Sequence, residues 1–238
     1  VLIVFGWLSG CNFRLAGKDW GVVFLLSLLR AVTSFSLIIA YQNIASGVAS
    51  TIHFMYPLAV ALAMMFFFRE KKSLLVILAV LMSLLGAALL SLGELEAKSG
   101  NTMVGLVAAC VSVFSYAGYI VGVRTTRAVQ INSTALTCYV MGLGTIFYLI
   151  GAYCTSGLQL VSDGYTWLII LGLALPATAI SNITLVQAIK YAGPTLTSIL
   201  GAMEPLTAVV IGVFVFKELF TVNRAVAIIL ILLAVRIV

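Results

Sequence analysis

Apolar residues run along this chain in long blocks, not in alternation. Cutting at charged and turn-forming residues leaves nine apolar segments: 1–11, 20–40, 46–68, 73–91, 101–123, 134–155, 165–188, 195–216 and 222–238. All but the first come close to the ~20 residues that a helix needs to cross a hydrocarbon core. Barrel strands are excluded, because those are short and alternate polar with apolar positions. The connectors are short, and none is long enough to fold as a soluble domain. The pattern predicts an all-α integral membrane protein. The chain opens at Val1 inside an apolar run, so 1–11 is read as a partial helix, with a helix or so expected before it.

Composition narrows the class. Charged residues make up 8% of the 238 and hydrophobic ones 63%, against about 25% charged in a soluble domain. Too little polar material is present to cover a water-facing surface. Disorder is excluded on the same ground. The net charge of +6 does not point to nucleic acid, because the basic residues stand singly between apolar runs, without a basic stripe and interleaved aromatics. Cys11, Cys110, Cys138 and Cys154 share no CxxC spacing and are read as small packing residues, with no disulfide framework. One histidine is too few for a His-rich metal site. No metal or cofactor is expected.

Lysine and arginine sort by connector. Arg14, Lys18, Arg69, Lys71, Lys72, Arg124, Arg127, Lys190 and Arg236 fall on one side, and Lys98, Lys217 and Arg224 on the other. The richer side should be cytoplasmic, which puts the C-terminus inside. Trp20 and Trp167 open their segments as interfacial aromatics.

The chain also repeats itself. A shift of 148 residues lays 40–90 on 188–238 with eleven of 51 positions identical. The rare residues carry the register: Pro57 falls on Pro205, Glu70 on Glu218 and Arg69 on Lys217. HFMYPLAVALAMMFFFRE thus pairs with GAMEPLTAVVIGVFVFKE. A repeat with an odd number of crossings is inverted in its second copy, an arrangement typical of secondary transporters. The expectation is two five-helix bundles (5+5), with residues 1–92 the truncated first repeat and 101–238 the second.

YPLAVALAMMFFFRE (56–70) and EPLTAVVIGVFVFKE (204–218) resemble the repeated signature of EamA-type members of the drug/metabolite transporter superfamily. LLRAVTSFSLIIAYQNIASGVAS (28–50) resembles the stretch that precedes it there. The resemblance runs from about residue 12 to the end. It implies a ten-helix transporter of the bacterial inner membrane, often exporting amino acids or other small metabolites, with a central cavity of alternating access.

Several residues could carry chemistry. Glu204 lies about ten residues into its segment, where a carboxylate is costly (up to ~3 kcal/mol) and usually faces a cavity or partner. It is a candidate proton carrier, or a paired residue at the Pro205 kink. Arg30 lies ten residues into 20–40, at similar depth. It either pairs with Glu204 or binds a substrate carboxylate. His53, Tyr56 and Pro57 share a helix face, as cavity lining or as packed residues. Pro57, Pro176 and Pro205 remove amides and release the carbonyls of His53, Gly172 and Gly201 for a substrate ammonium, a neighbouring hydroxyl or water. Asn182, with Ser181 and Gln187 nearby, is a cavity residue or an interhelical bond. Tyr116 and Tyr119 offer aromatic walls, and Gly118 with Gly122 a GxxxG contact. Glu70 and Glu218, at helix ends beside Arg69 and Lys217, read as interfacial pairs or caps.

No Walker loop, HExxH or GxSxG is present, so no catalytic residue is assigned. Three classes remain. The first is a secondary transporter driven by protons or by the substrate's own gradient, with small-molecule substrate and bilayer as its partners. The second is a membrane enzyme or flippase for lipid-linked substrates, for which Glu94 and Glu96 would be the nearest residues. The third is a non-transporting membrane partner. The fused repeat supplies both halves, so a monomer is expected.

Overall fold

The computed structural model describes residues 6, 13, 15–70, 74–91, 100–155, 163–201, 203–214 and 222–237. Helices account for nearly all of them: α1 (Trp20–Asn43), α2 (Ser46–His53), α3 (Tyr56–Phe67), α4 (Leu74–Ser91), α5 (Thr102–Thr125) and α6 (Ser133–Thr155), then α7 (Gly164–Leu173), α8 (Ser181–Ala192), α9 (Pro194–Leu200), α10 (Met203–Phe214) and α11 (Val222–Ile237). Each apolar segment from 20–40 onward therefore coincides with helix. Five stretches are long and apolar enough to cross a membrane: Gly17–Asn43, Ser46–Phe67, Thr102–Thr125, Ser133–Gly151 and Gly164–Ala192. The first segment apart from Gly6, and Arg14, Glu94, Glu96, Lys98, Lys217 and Glu218, lie outside the described residues.

The chain forms two compact units, and each draws on distant parts of the sequence. One comprises residues 1–31 and 122–193, the other 32–121 and 194–238. In the second unit α4 packs along α11. Alanines permit that contact: Ala79, Ala227 and Ala234 are fully buried, as are Val80 and Ile231. A Cβ on Gly86 would stand 2.6 Å from Ile231 Cγ1 and 3.0 Å from the Ala227 carbonyl. Close backbone approach of this kind is how apolar helices associate where lipid removes the usual hydrophobic drive. A second cluster joins Ala61 and Met65 of α3, Val80 of α4 and Ile199 of α9. In the first unit α6 packs against α8. Ser27 of α1 donates to the Val140 carbonyl at 2.9 Å, and Trp20 meets Tyr139 edge-on at 5.5 Å. A Cβ on Gly122 would press Leu26 at 2.8 Å, so the second glycine of the GxxxG pair serves close packing.

Two segments expected as single helices are broken. Segment 46–68 stops at His53 and restarts at Tyr56, and segment 195–216 stops at Leu200 and restarts at Met203. Proline is the cause. It has no amide for the carbonyl four residues back, and its ring collides with that carbonyl. The chain ends one helix ahead of Pro57 and of Pro205 and places each proline in the first turn of the next, where amides lack helical partners anyway. Each proline thus lies in the first turn of the helix that follows the interruption. Under the 148-residue shift α2 falls on α9, α3 on α10 and α4 on α11 to within about a residue or two. Pro176 meets a different fate. It lies in a π-helical turn, Ala174–Ile180, that joins α7 to α8 without a break.

The breaks meet in the second unit. A Cβ on Gly201, the last residue before Ala202, would collide with the Tyr56 hydroxyl. Gly201 is therefore required for contact, not for backbone freedom. Gly193 is required for backbone freedom: its φ of 91° turns the chain from α8 into Pro194, in a region that L side chains avoid.

Lys190 departs from the sequence reading. It is not a connector residue but lies in the last turn of α8, only 8% exposed. Its ammonium donates to the Ile131 carbonyl, and its own carbonyl accepts from Arg124. Cys110 is exposed rather than packed. At the start of α7, Asp163 accepts from the Thr166 amide at 3.0 Å and from the Thr166 hydroxyl at 2.9 Å. Those bonds, the amide first, hold its carboxyl below its usual 3.8.

Two outcomes follow from these contacts. Gly201→Ala should destabilise the protein by about 1–3 kcal/mol, the usual range for overpacking. Adding Tyr56→Phe should recover part of that loss, because the hydroxyl is the obstructing atom. Thermal unfolding of the four forms in detergent measures the coupling, and strictly additive losses would refute the contact. The Asp163 cap should protect the Thr166 amide from hydrogen exchange above about pH 4. Because the folded value is depressed, protection should be lost as pH falls through it.

Candidate functional site

The second unit gathers the aromatic candidates at the first helix break. His53 ends α2, Tyr56 opens α3, and Tyr116 and Tyr119 lie one turn apart on α5. The His53 ring stands 5.6 Å from Tyr56 and 5.5 Å from Tyr116. Tyr56 and Tyr116 meet edge to face at 4.7 Å, and Tyr119 stacks on Tyr116 at 6.2 Å. Tyr56 and Tyr119 are buried, whereas His53 and Tyr116 are half-buried. Ring faces carry negative charge, and a half-open cluster of them is a surface on which a cation or another aromatic can rest.

The second break supplies the acid. Glu204 does not lie deep in a continuous helix. It sits in the first turn of α10, exposed, directly before Pro205. A helix N-terminus presents unpaired amides and a positive dipole end, which suits a carboxylate. The break thus gives Glu204 a polar setting that an uninterrupted apolar helix would have denied it. The Glu204 amide donates to the Gly201 carbonyl at 3.0 Å. That carbonyl, expected to be released by Pro205, is therefore already an acceptor within the chain. Tyr56, packed on Gly201, ties this break to the aromatic cluster.

The first unit joins two candidates that the sequence did not connect. Pro176 lies within the π turn, and the Thr178 carbonyl of that turn accepts from Asn182 Nδ2 at 2.7 Å. This bond orients the amide, so Asn182 Oδ1 faces away from it and accepts from Arg30 Nη2 at 3.3 Å. Asn182 is 6% exposed and Arg30 half-buried. A guanidinium keeps its charge in any environment and matches a carboxylate in shape. Arg30 and Glu204 belong to different compact units, and within its own unit Arg30 is held by Asn182.

Three features escaped the sequence reading. Ser112 of α5, fully buried, lies 3.0 Å from His53 Nδ1. Its signal was available: Ser112, Tyr116 and Tyr119 recur at four and three residues and so share a helix face. Glu70 does not pair with Arg69. Its Oε2 accepts from the Thr195 hydroxyl at 2.6 Å, a bond across 125 residues that only the fold reveals. The Lys190 bonds are the third. Ser181 and Gln187, flanking Asn182 on the same helix, are exposed.

Comparison with known proteins agrees with this architecture. Residues 103–238, more than half of the chain, match the EamA-like transporter family. The fold is similar to that of a solved crystal structure at a TM-score of 0.83, with 18% identity, over 99% of this chain and 81% of that one. Among curated proteins none matches the sequence. With five helices apolar enough to cross a bilayer and the matched family spanning α5 to α11, the chain belongs to the EamA-like transporter family and is a multi-pass membrane transporter of small molecules.

Proposed function

We propose that this protein is a secondary transporter that exports an amino acid or a similar small metabolite across the bacterial inner membrane by alternating access. The observation that carries the reading is the pair of broken helices in register under the 148-residue shift. Discontinuous helices at matching places in two halves mark the binding region of inverted-repeat transporters, because a break exposes amides, carbonyls and dipole ends that an intact helix hides. Support for an inverted 5+5 arrangement comes from the same register and from the odd number of crossings per repeat. The excess of Lys and Arg in alternate connectors supports a cytoplasmic C-terminus.

The residues divide by charge. The rings of His53, Tyr56, Tyr116 and Tyr119, with Glu204 beyond Gly201, suit an ammonium group: the carboxylate supplies attraction and the rings a desolvated face. Arg30, oriented by Asn182, suits a carboxylate. The chain carries no nucleotide-binding loop, so the drive is a proton gradient or the gradient of the substrate itself. The fused halves favour a monomer.

The test is flux into liposomes under an inward pH gradient, with a panel of amino acids and small amines. Wild type should move at least one of them, and Glu204→Gln should reduce that flux tenfold or more. Unchanged flux in the variant would make Glu204 a residue of the helix start alone, and no flux for any solute would remove the secondary-transporter reading. Asn182→Ala should raise KM for a carboxylate substrate about three- to tenfold, equivalent to roughly 0.6–1.4 kcal/mol, with little change in KM for an amine lacking a carboxylate. Equal effects on both would place Asn182 in packing rather than in orienting Arg30.

A further inference from the structure

An apolar groove runs between α3 and α5, and all of it lies in the second unit. Two cavities of about 420 Å³ and 190 Å³ form it, and they share Ala59, Leu62 and Phe114. Residues at helical spacing line it: Ala59, Leu62 and Phe66 on α3, and Cys110, Phe114 and Val121 on α5. Small side chains leave the space open, with Ala117 buried and Ala63 half-buried, while Phe66 and Phe114 border it at 68% and 71% exposed. From Cys110 to Val121 the groove is about 17 Å long, at about 1.5 Å per helical residue. One leaflet of hydrocarbon is about 15 Å deep, half of the core. The groove therefore has the length of one acyl chain from the interface to the midplane. A helix of that length, about 10 Å across, fills more than about 1,000 Å³, so a whole helix does not fit within it.

The groove ends in charge. Phe68 lines its end, and Arg69 follows directly. Arg69 has a φ of 54°, a left-handed conformation that L side chains seldom adopt and that glycine usually supplies after a helix. The turn folds the chain back on α3: the amides of Phe68 and Glu70 both donate to the Met64 carbonyl, at 3.2 Å and 3.1 Å. An exposed arginine is thus held at the end of the groove instead of being carried away by a continuing chain. The neighbouring carboxylate is engaged elsewhere, because Glu70 Oε2 accepts from Thr195. Lys71 and Lys72 come next, so three cations fall within four residues. A guanidinium matches a phosphate in shape and charge, and basic clusters at the end of a membrane helix attract anionic headgroups. We propose that this groove binds one acyl chain of an anionic phospholipid whose phosphate rests on Arg69. The apolar walls hold a chain without selecting a lipid, because every phospholipid has one. Arg69 adds the selection for a negative headgroup. With the richer basic side cytoplasmic, the lipid belongs to the cytoplasmic leaflet. The site rests on the membrane fold alone and not on what is transported.

The test compares phosphatidylglycerol with phosphatidylcholine of the same chains, by native mass spectrometry of the whole protein in detergent. Phosphatidylglycerol should be retained with a Kd about tenfold lower, equivalent to roughly 1.4 kcal/mol. Arg69→Gln should abolish the preference, and Arg69→Lys should keep most of it. Arg69→Gly is the stricter variant. It relieves the left-handed backbone, so thermal stability in phosphatidylcholine should hold or rise while the preference is lost. Equal affinities in wild type, or a preference that survives both Arg69→Gln and Arg69→Gly, would overturn the role of Arg69. Glycerol phosphate, a headgroup without chains, should not displace the lipid at equal concentration. Displacement would make this a site for free phosphate and overturn the lipid assignment. The chain is located with phosphatidylglycerol that carries a photoreactive diazirine on one acyl chain. Cross-links should concentrate on residues 55–68 and 110–121 and fall several-fold when Ala63→Phe fills the groove. Gly118→Val fills it from α5 and should act alike, which keeps the test valid if one variant does not fold. Cross-links spread evenly over the apolar helices, or unchanged in the filled variants, would overturn the groove.

Discussion

A backbone amide or carbonyl in apolar surroundings must find a partner, and this chain is arranged around the places where its helices fail to supply one. An unbroken apolar helix satisfies itself and offers nothing to a solute. Proline at 57 and at 205 forces an end and a restart, and the groups so uncovered must be met by side chains, by the next turn or by a ligand. Tyr56 over Gly201 and the Glu204 amide on the Gly201 carbonyl are responses to that demand. Pro176 answers it within the helix, by widening the turn, and the displaced pattern leaves the Thr178 carbonyl to Asn182.

The same accounting separates functional hydroxyls from merely tolerated ones. Thr51, Ser83, Thr137, Thr145, Thr184 and Thr207 each donate to a carbonyl three or four residues back on their own helix. Such bonds neutralise a polar group at little cost and connect nothing. Ser27, Thr33 and Thr195 reach another element instead. Ser112 does both, donating to the Ala109 carbonyl of its own helix and lying 3.0 Å from His53 Nδ1. In a protein with few charges, such a hydroxyl ties two elements together without introducing an ion.

The helices were legible in the sequence because length and hydropathy determine them: each described segment appears within a few residues of its expected limits. Proline positions were legible too, but not their consequences. The rule that proline disrupts a helix does not say whether the chain will break, as at Pro57, or widen, as at Pro176. That choice depends on what the neighbouring elements offer to the released groups. Arg30 and Asn182 were each visible as polar residues in apolar runs, yet their bond spans 152 residues and no local pattern encodes it. Lys190 looked like a connector residue because a lone lysine at the end of an apolar run ordinarily is one. Burial came from its tertiary partners, the Ile131 carbonyl and Arg124.

The pairing of α4 with α11 bears on how the protein is made. The face of α4 that carries Ala79 and Gly86 is complete 130 or more residues before its partner Val222–Ile237 has been synthesised. Until then Val80 can pack on Ala61 and Met65 of α3, but the surface around Gly86 meets lipid or a temporary companion. The seam between α4 and α11 cannot form until α11 has been made. A membrane insertase or chaperone that shields small-residue helix faces would have its longest task here.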